Sequence, residues 1–381
     1  ASAYQKVCVN EAMPTLYCIA AGGSSKDTWV LSSGEDHVQP VKLQLKSGNI
    51  PSVFQKGSLP SHTAENLFWA GRYTERIINN ARLLRAAIQY NLQYSSSSRK
   101  EIFATKKILL QAITHSTFSY PGFTAMDELK NDDVMIADPW QELTQVLYDD
   151  KKSGGLSQNI SMFKRSVNSV RNFWALDTWR IFGQMEDNWE KAKNLPHHDP
   201  HTMITHIDTL NAAMFAFLGM NRESARREQE WMILDLGRKL EQSLYIIRLL
   251  QHIFKEKQDT AVEHDLVSSV LLATQSLVTY RYTYRDHLQL PLLLELLMLD
   301  MSYPKSLVYL IDKIKSYVAA LPKTIKGQSL SEQERLVLEA ETLLKLAKSD
   351  TLEKYDTSTK EYIFLNELLG KLYSLISETS I

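Results

Sequence analysis

A duplicated helix-forming stretch constrains this chain more than any other feature of its sequence. The first copy is Ala64–Leu84, and the second is Glu230–Leu250, 166 residues later. Aligned without gaps, the copies agree at six positions: Gly71 with Gly237, Arg72 with Arg238, Glu75 with Glu241, and Arg82–Leu84 with Arg248–Leu250. Four of these six positions hold glycine or a charged side chain. The agreement therefore indicates a duplicated structural unit rather than a shared abundance of leucine.

Helical periodicity gives each copy an apolar side and a polar side. At about 100° per residue, the first copy places on its apolar side Leu67, Ala70, Thr74, Ile77, Ile78, Ala81, Leu84 and Ile88, and on its polar side Glu65, Arg72, Glu75, Arg76, Asn79 and Arg82. The polar side of the second copy holds Arg238, Glu241, Gln242 and Arg248. Glycine costs a helix interior about 1 kcal/mol relative to alanine. Gly71 and Gly237 therefore predict close approach by another backbone.

Two interpretations of the recurring arginines and glutamates stay open. In the first, the two stretches are core helices whose buried Arg–Glu hydrogen bonds join the halves, because buried ions are often structural. In the second, the arginines line a cleft for a carboxylate or phosphate ligand, because the guanidinium fork matches these anions with two parallel bonds.

Composition excludes several classes of protein. The chain has 381 residues, 44% of them hydrophobic, which is enough for a substantial core. Its net charge of −1 gives no global positive field for nucleic acid or a membrane surface. Two cysteines without metal spacing favour a cytoplasmic location, and no apolar run reaches the length of a membrane span. The first residue, Ala1, is not methionine, which suggests a piece of a longer protein.

Taken in order, the chain predicts an all-α, bundle-like domain of two related halves, preceded by a short β-containing segment. Short strands are expected within residues 1–48, a linker at 49–60, and helices throughout 61–381. The expected helices include 61–94, a single long helix over 161–189, and one over 202–219 that ends at Gly219. Asp199 and Ser331 are expected to cap helix N-termini.

No motif of a known catalytic type stands out, and we expect no metal site. His197, Asp199 and His201 form the one metal-like cluster, but their spacing matches no closed tetrahedral pattern. The Gly-rich stretch at residues 22–26 lacks the spacing of a phosphate-binding loop. The arginines and tyrosines of residues 280–285 are typical of a partly buried layer rather than of a nucleic-acid surface.

Three ordered motifs resemble the bacterial alpha-E domain, a helical domain, over roughly residues 57–381. The first runs from Ser61 to Arg76. The second comprises Glu223-Ser224, Arg227 and Trp231–Glu241, and the third comprises Arg281, Arg285, Pro291, Leu296–Asp300 and Pro304–Leu307. Gln242 stands where the family usually has a second arginine, Glu230 where it often has glycine, and Lys305 where it often has arginine. The loss of an arginine at position 242 weakens the case for two equivalent anion sites.

The resemblance also implies partners. Residues 22–32 resemble the tail of a circularly permuted ATP-grasp domain, which in bacteria lies next to or is fused to alpha-E domains. The implied function is the helical part of a system that forms peptide or amide bonds, with an ATP-grasp domain or protein, fused or separate, as partner. Transglutaminase-like and proteasome-like peptidases are implied neighbours. ATP and Mg²⁺ would bind a complete ATP-grasp partner, and no cofactor is expected in this chain.

By the same resemblance, the Arg and Glu side chains would hold a carboxylate or peptide terminus. The expected binding residues are Glu65, Trp69, Arg72, Glu75, Arg76, Arg82, Arg227, Trp231, Arg238, Glu241, Arg248, Arg281 and Arg285. One alternative is a scaffold without a ligand that docks the ATP-grasp partner. Another is a transferase or hydrolase that uses Glu75 and Glu241 as an acid/base pair, which would require their pKa values to be pushed apart.

Overall fold

The computed structural model describes residues 59–124, 132–195, 199–224, 226, 228–321 and 330–379, and these form an all-α fold. The helices are α1 (Ser61–Gln93), α2 (Lys100–Thr117), α3 (Asp132–Ala137), α4 (Trp140–Tyr148), α5 (Leu156–Ser169), α6 (Leu176–Lys193), α7 (Pro200–Ser224), α8 (Gln229–Ile253), α9 (Thr260–Ala273), α10 (Leu277–Tyr284), α11 (Leu290–Leu294), α12 (Leu307–Ala320), α13 (Glu332–Leu346), α14 (Ser349–Leu352) and α15 (Ile363–Glu378). A π-helical turn, Glu295–Leu299, follows α11. The strands expected within residues 1–48 lie outside the described residues. None of the described helices is long and apolar enough to cross a membrane.

The two duplicated stretches form α1 and α8, and these helices lie at the centre of the fold. Helices α5 and α7 pack on α1, just as α12 and α15 pack on α8. The second helix of each half crosses over, because α2 packs on α8 and α9 packs on α1. This repeated order confirms the prediction of two related halves.

The central position of α1 changes the expected exposure of its polar side. Arg72 and Glu75 are only 8% and 2% exposed, and Asn79 and Arg82 are also buried. Neighbouring helices surround α1, so the side that carries charges is buried as well as the apolar side. Buried charges need partners, and the helix crossing supplies most of them.

The expected long helix over residues 161–189 is wrong, because two helices occupy this region. Helix α5 ends at Ser169 and α6 begins at Leu176, with a 3-10 turn at Arg171–Phe173 between them. The indole Nε1 of Trp174 donates to the carbonyl of Val167 at 3.0 Å, which satisfies a carbonyl at the end of α5. The break buries Trp174 in the core.

The expected helix end at Gly219 is also wrong, whereas both predicted N-caps are confirmed. Helix α7 continues to Ser224, and Gly219 faces open space on its surface. The Asp199 carboxylate accepts from the backbone N–H groups of residues 201 and 202. Ser331 and Glu334 exchange the two hydrogen bonds of a capping box at the start of α13.

Candidate functional site

Helices α1 and α8 cross at their two glycines. A Cβ atom on Gly71 would overlap the carbonyl oxygen of Leu234, and one on Gly237 would overlap the carbonyl oxygen of Phe68. Phe68 and Leu234 are equivalent positions in the two copies, so the crossing has approximate two-fold symmetry. Glycine is required at both positions because the two backbones meet there, as the sequence predicted.

Glu241 lies at the crossing and accepts hydrogen bonds from three arginines. Arg72 Nε donates to Oε2 at 2.9 Å. Arg76 donates through Nε to Oε1 at 3.0 Å and through Nη2 to Oε2 at 2.9 Å. Arg248 Nη2 donates to Oε1 at 3.0 Å. A carboxylate has about four acceptor sites, and these four bonds fill them.

This environment keeps Glu241 ionised. The side chain is 0% exposed, and burial alone would favour the neutral acid. The guanidinium groups of Arg76, Arg72 and Arg248 outweigh burial and hold the pKa of the Glu241 carboxyl well below its ordinary value. A carboxylate in this state has no free acceptor site with which to take a proton from a substrate. This argues against an acid/base pair of Glu75 and Glu241.

The three arginines around one glutamate leave an excess of positive charge, and aromatic rings face these arginines. The Arg72 guanidinium lies 5.4 Å from the ring centre of Trp69, and that of Arg76 lies 5.4 Å from Tyr73. The Arg248 guanidinium lies 5.0 Å from the ring of Phe118, the residue after α2. The negative faces of these rings stabilise the remaining positive charge.

Glu75, the equivalent of Glu241, has one arginine partner within the described residues. Arg238 donates to its Oε1 through Nε at 2.9 Å and through Nη2 at 2.6 Å. Arg238 Nη1 also donates to Asp235 at 2.9 Å, and the other Asp235 oxygen accepts from Tyr317 at 2.7 Å. Burial disfavours the charge of Arg238, but Glu75 and Asp235 outweigh it and raise the pKa of the guanidinium. Arginines of each half therefore bind a glutamate of the other half, as the first of the two interpretations requires.

Arg82 and Arg248 are equivalent in sequence but have different partners. Arg248 binds Glu241, whereas Arg82, among the described residues, donates one side-chain bond, from Nη2 to Gln275 Oε1 at 2.7 Å. Gln275 follows α9 in a left-handed conformation, with φ of 51°, as Phe118 follows α2 with φ of 60°. Each arginine therefore meets the left-handed residue of the other half, but an amide stands at one place and a phenyl ring at the other.

A pocket of about 620 Å³ opens beside Arg238, and we call it the Arg238 pocket. Four cationic side chains and one carboxylate line it, together with aromatic rings. Its lining includes Arg222, Arg238, Lys239, Lys313, Asp235, Trp231, Tyr309, Tyr317 and Phe215. Lys239 donates to Gln242 at 3.1 Å, and the Lys313 ammonium lies 3.6 Å from Asp312 and 5.2 Å from the ring centre of Tyr309. More cationic than anionic side chains therefore line this pocket, although Arg238 is paired with Glu75 and Asp235.

A second pocket, of about 570 Å³, lies beside Arg82, and we call it the Arg82 pocket. Helix α7 borders both pockets, and Phe215 lines both. The polar residues of the Arg82 pocket are Arg82, Arg85, Gln89, Asp208, Asn211 and Gln275. Its apolar wall comprises Phe215, Leu271, Leu272, Leu277 and Val278.

The structure separates the predicted binding residues into groups. Arg72, Arg76, Glu241 and Arg248 form a closed cluster, with Trp69 beside it; Glu75 and Arg238 form the second ion pair; and Arg82 and Trp231 line pockets. Glu65 is exposed in the first turns of α1. Arg281 and Arg285 are exposed at the end of α10, where Arg281 lies 3.6 Å from Asp286. Arg227 lies outside the described residues.

Sequence reasoning missed several pocket residues. Asp235 and Lys239 lie within the second copy, and Asp235 stands three positions before Arg238, a helical spacing that brings the two together. Tyr317 and Lys313 come from α12, which is distant in sequence and carries no signal that links it to α8. Among the described residues no group of three potential ligands could hold a metal ion. His197 is not among these residues.

Comparisons with known proteins match the helical part of the chain. The model of the Alpha-E family, described as a predicted alpha-helical domain with a conserved ER motif, matches residues 59–380. Uncharacterised proteins of Mycobacterium bovis and of two Mycobacterium tuberculosis strains are 25% identical over 345 residues, which is 89% of this chain and 38% of theirs. The chain therefore spans less than half the length of these relatives. No solved structure matches it. Because the family model matches most of the chain, the chain belongs to the Alpha-E family.

Proposed function

We propose that this Alpha-E domain is the helical substrate-binding part of an ATP-grasp-linked system that forms peptide or amide bonds. The Arg238 pocket would hold a carboxylate-bearing group of the substrate. The link to an ATP-grasp partner rests on the resemblance of residues 22–32 to the tail of such a domain. ATP and Mg²⁺ would bind that partner, and the cytoplasm would be the compartment in which both act.

The charge of the Arg238 pocket carries the binding proposal. Four cations and a single carboxylate line the pocket, and Trp231, Tyr309 and Tyr317 add flat aromatic surface. Arginine and lysine in a partly desolvated pocket favour carboxylate and phosphate ligands. Pockets of several hundred Å³ with a few convergent polar groups are the usual size for small-molecule sites.

The closed cluster at Glu241 favours a second candidate function, which is a scaffold that docks the ATP-grasp partner. Three arginines fill the acceptor sites of Glu241, so this carboxylate cannot accept a hydrogen bond from a ligand. The two candidates make different predictions for the Arg238 pocket. A substrate-binding domain needs the pocket cations for ligand affinity, whereas a scaffold does not.

Isothermal titration with a glutamate dipeptide and with the matching glutamine dipeptide tests the proposal. We expect the glutamate dipeptide to bind and the glutamine dipeptide to bind at least about tenfold more weakly, a loss of about 1.4 kcal/mol. Lys313→Glu should abolish this preference, because it replaces a pocket cation by an anion. Lys151→Glu makes the same charge change on an exposed turn and serves as the control.

Two results would overturn the binding proposal and favour the scaffold. One is equal affinity, or no affinity, for the two dipeptides. The other is a preference for the glutamate dipeptide over the glutamine dipeptide that is as strong in Lys313→Glu as in Lys151→Glu.

A further inference from the structure

Among the described residues, Arg82 is a buried cation that forms no ion pair. Its side chain is buried, with 8% of the residue exposed. In the described part of the chain its one hydrogen bond goes to a neutral amide, that of Gln275, and no carboxylate lies within ion-pair distance. Nε is buried without a partner. Burying an unpaired charge is costly, so this position favours an anionic ligand that would balance the charge.

The neighbouring acids are engaged elsewhere. Within the described residues, Glu75 accepts its hydrogen bonds from Arg238, and Asp208 binds Arg85 through two bonds of 2.6 Å and 3.3 Å. Burial lowers the pKa of Arg82, and the attraction of the more distant Glu75 charge does not outweigh it. The positive charge near Arg82 is further increased by Lys305. Lys305 donates to the carbonyls of residues 274 and 275, on the same loop that supplies the Gln275 amide.

The Arg82 pocket places apolar surface beside this cation. The guanidinium lies 4.8 Å from the ring centre of Phe215. Leu272 and Val278, 43% and 83% exposed, belong to the opposite wall, which α9 and α10 provide. An inorganic anion would leave this wall uncovered, whereas a ligand with an apolar side chain would bury it.

Asn211 adds a polar group on the α7 side of the pocket. It lies one helical turn from Phe215 and about one turn from Asp208, on the face of α7 that meets α1. Its Oδ1 is buried and accepts no hydrogen bond from the described residues. Such an oxygen would accept from a ligand N–H group.

We propose that the Arg82 pocket binds a small carboxylate with an apolar side chain, of which a free hydrophobic amino acid is the simplest case. The carboxylate pairs with the Arg82 guanidinium, and the side chain covers Leu272 and Val278. An amino group on the ligand donates to Asn211. This site is distinct from the Arg238 pocket and does not depend on the function proposed there.

Titration calorimetry of the whole chain with leucine tests the site, and three related compounds identify the groups that matter. We expect leucine to bind with a Kd of about 1 mM or tighter, the range of a small ligand with a handful of contacts. Leucinamide lacks the carboxylate and acetate lacks the side chain, so both should bind at least about tenfold more weakly. 4-Methylpentanoate retains both groups and lacks the amine. Binding of this compound as tight as leucine assigns recognition to Arg82 and the apolar wall alone, and weaker binding adds the Asn211 contact.

Two variants connect the binding to the pocket. Arg82→Met keeps the apolar stem and removes the charge, and it should abolish leucine binding. Val278→Asp introduces a repelling carboxylate at an exposed position, where folding is not at risk, and it should weaken binding at least about tenfold. Leu176→Asp makes a similar change at an exposed leucine of α6, 78% exposed, and should leave binding unchanged. Lys313→Glu, which alters the Arg238 pocket, should also leave it unchanged.

The proposal is overturned if neither leucine nor 4-methylpentanoate binds. It is also overturned if acetate binds as tightly as leucine, because the site would then hold any small anion. Leucine affinity that survives both Arg82→Met and Val278→Asp would place the binding elsewhere and would overturn it too.

Discussion

The carboxylates of Glu75 and Glu241 occupy equivalent positions of a duplicated helix, yet their surroundings differ. Glu241 accepts four bonds from three arginines, whereas Glu75 accepts bonds from Arg238 alone among the described residues. The difference begins in the sequence, because Arg76 of the first copy corresponds to Gln242 of the second. It is completed by Arg248, which binds Glu241, and by Arg82, which does not bind Glu75. Duplication thus produced one closed ionic cluster and one that borders open pockets.

This contrast indicates which of the two clusters has side chains available to bind a ligand. A carboxylate whose acceptor sites are all filled can lock two helices together, but it cannot accept a hydrogen bond from a ligand. An arginine without a carboxylate partner, or a pocket with excess cations, offers unused binding capacity. The equivalent positions therefore provide internal controls for one another, and most of the following experiments use one such pair.

Removing the two carboxylates should give the largest difference between the halves. Glu241→Gln leaves three arginines without their counter-charge, and we expect a loss of about 3–5 kcal/mol in the free energy of unfolding. Glu75→Gln leaves Arg238 with Asp235 and should cost about 1–3 kcal/mol. Urea denaturation measures both. Equal losses in the two variants would contradict the unequal roles assigned to these carboxylates.

The glycine crossing should be sensitive and nearly symmetric. Gly71→Ala and Gly237→Ala each place a methyl group against a backbone carbonyl of the other helix, and we expect each to destabilise by about 1–3 kcal/mol or more. Gly183→Ala is the control, because a Cβ at that site in α6 meets nothing within 4 Å. It should stabilise by about 0.5–1 kcal/mol. If Gly71→Ala behaved like Gly183→Ala in thermal unfolding, the helices would not touch as described.

The equivalent arginines should respond differently to loss of charge. Arg248→Met removes one charged bond to buried Glu241 and should cost about 1.5–3 kcal/mol. Arg82→Met removes a buried charge that has no carboxylate partner in the described residues. Its stability, measured without ligand, should therefore change little or increase. A large loss for Arg82→Met would show that this arginine is satisfied within the chain.

A smaller, pH-dependent effect should distinguish the Glu241 side. His252 stacks on His115 with ring centres 4.0 Å apart, and burial, His115, Arg248 and Lys255 lower the pKa of His252 to about 4. The unfolded chain, with an ordinary pKa of about 6.5, then binds a proton more readily than the folded chain. Stability is therefore fully present above about pH 6.5 and is lost as the pH falls towards 4.

Comparison of unfolding at about pH 7 and about pH 5 measures this slope. His252→Gln should reduce it, whereas His287→Gln, at an exposed position, should not. If the change of stability with pH were the same in His252→Gln as in the unaltered protein, His252 would not be its cause.

The sequence predicted much of this architecture from a few positions. The registered glycines correctly predicted backbone contact, and the registered arginines and glutamates left two interpretations open, of which buried bonds between the halves was one. Periodicity could not show that α1 is buried on all sides, because burial depends on helices that pack from elsewhere in the chain. Likewise, the break between α5 and α6 is accompanied by a hydrogen bond from the Trp174 indole to the carbonyl of Val167 near the end of α5. Hydrophobic periodicity does not reveal such a bond.

The candidate pockets were less accessible to sequence reasoning. Trp231, Arg238 and Arg82 were identified from the duplicated motif, but Lys313 and Tyr317 lie on α12 and join the site only through tertiary packing. The absence of an ion-pair partner for Arg82 among the described residues was equally hard to predict. It follows from Glu75 binding Arg238 and not Arg82, whereas Glu241 binds Arg248, and the sequence does not distinguish these pairings.

Double-mutant cycles on the pairs Arg72–Glu241 and Arg238–Glu75 test directly whether these ion pairs join α1 to α8. We expect a favourable coupling energy of about 1–3 kcal/mol for each pair. The larger value should belong to Arg238–Glu75, because Glu241 keeps two arginines when Arg72 is truncated. Coupling energies of zero for both pairs would mean that the two helices are not joined by these charges, and would contradict the account.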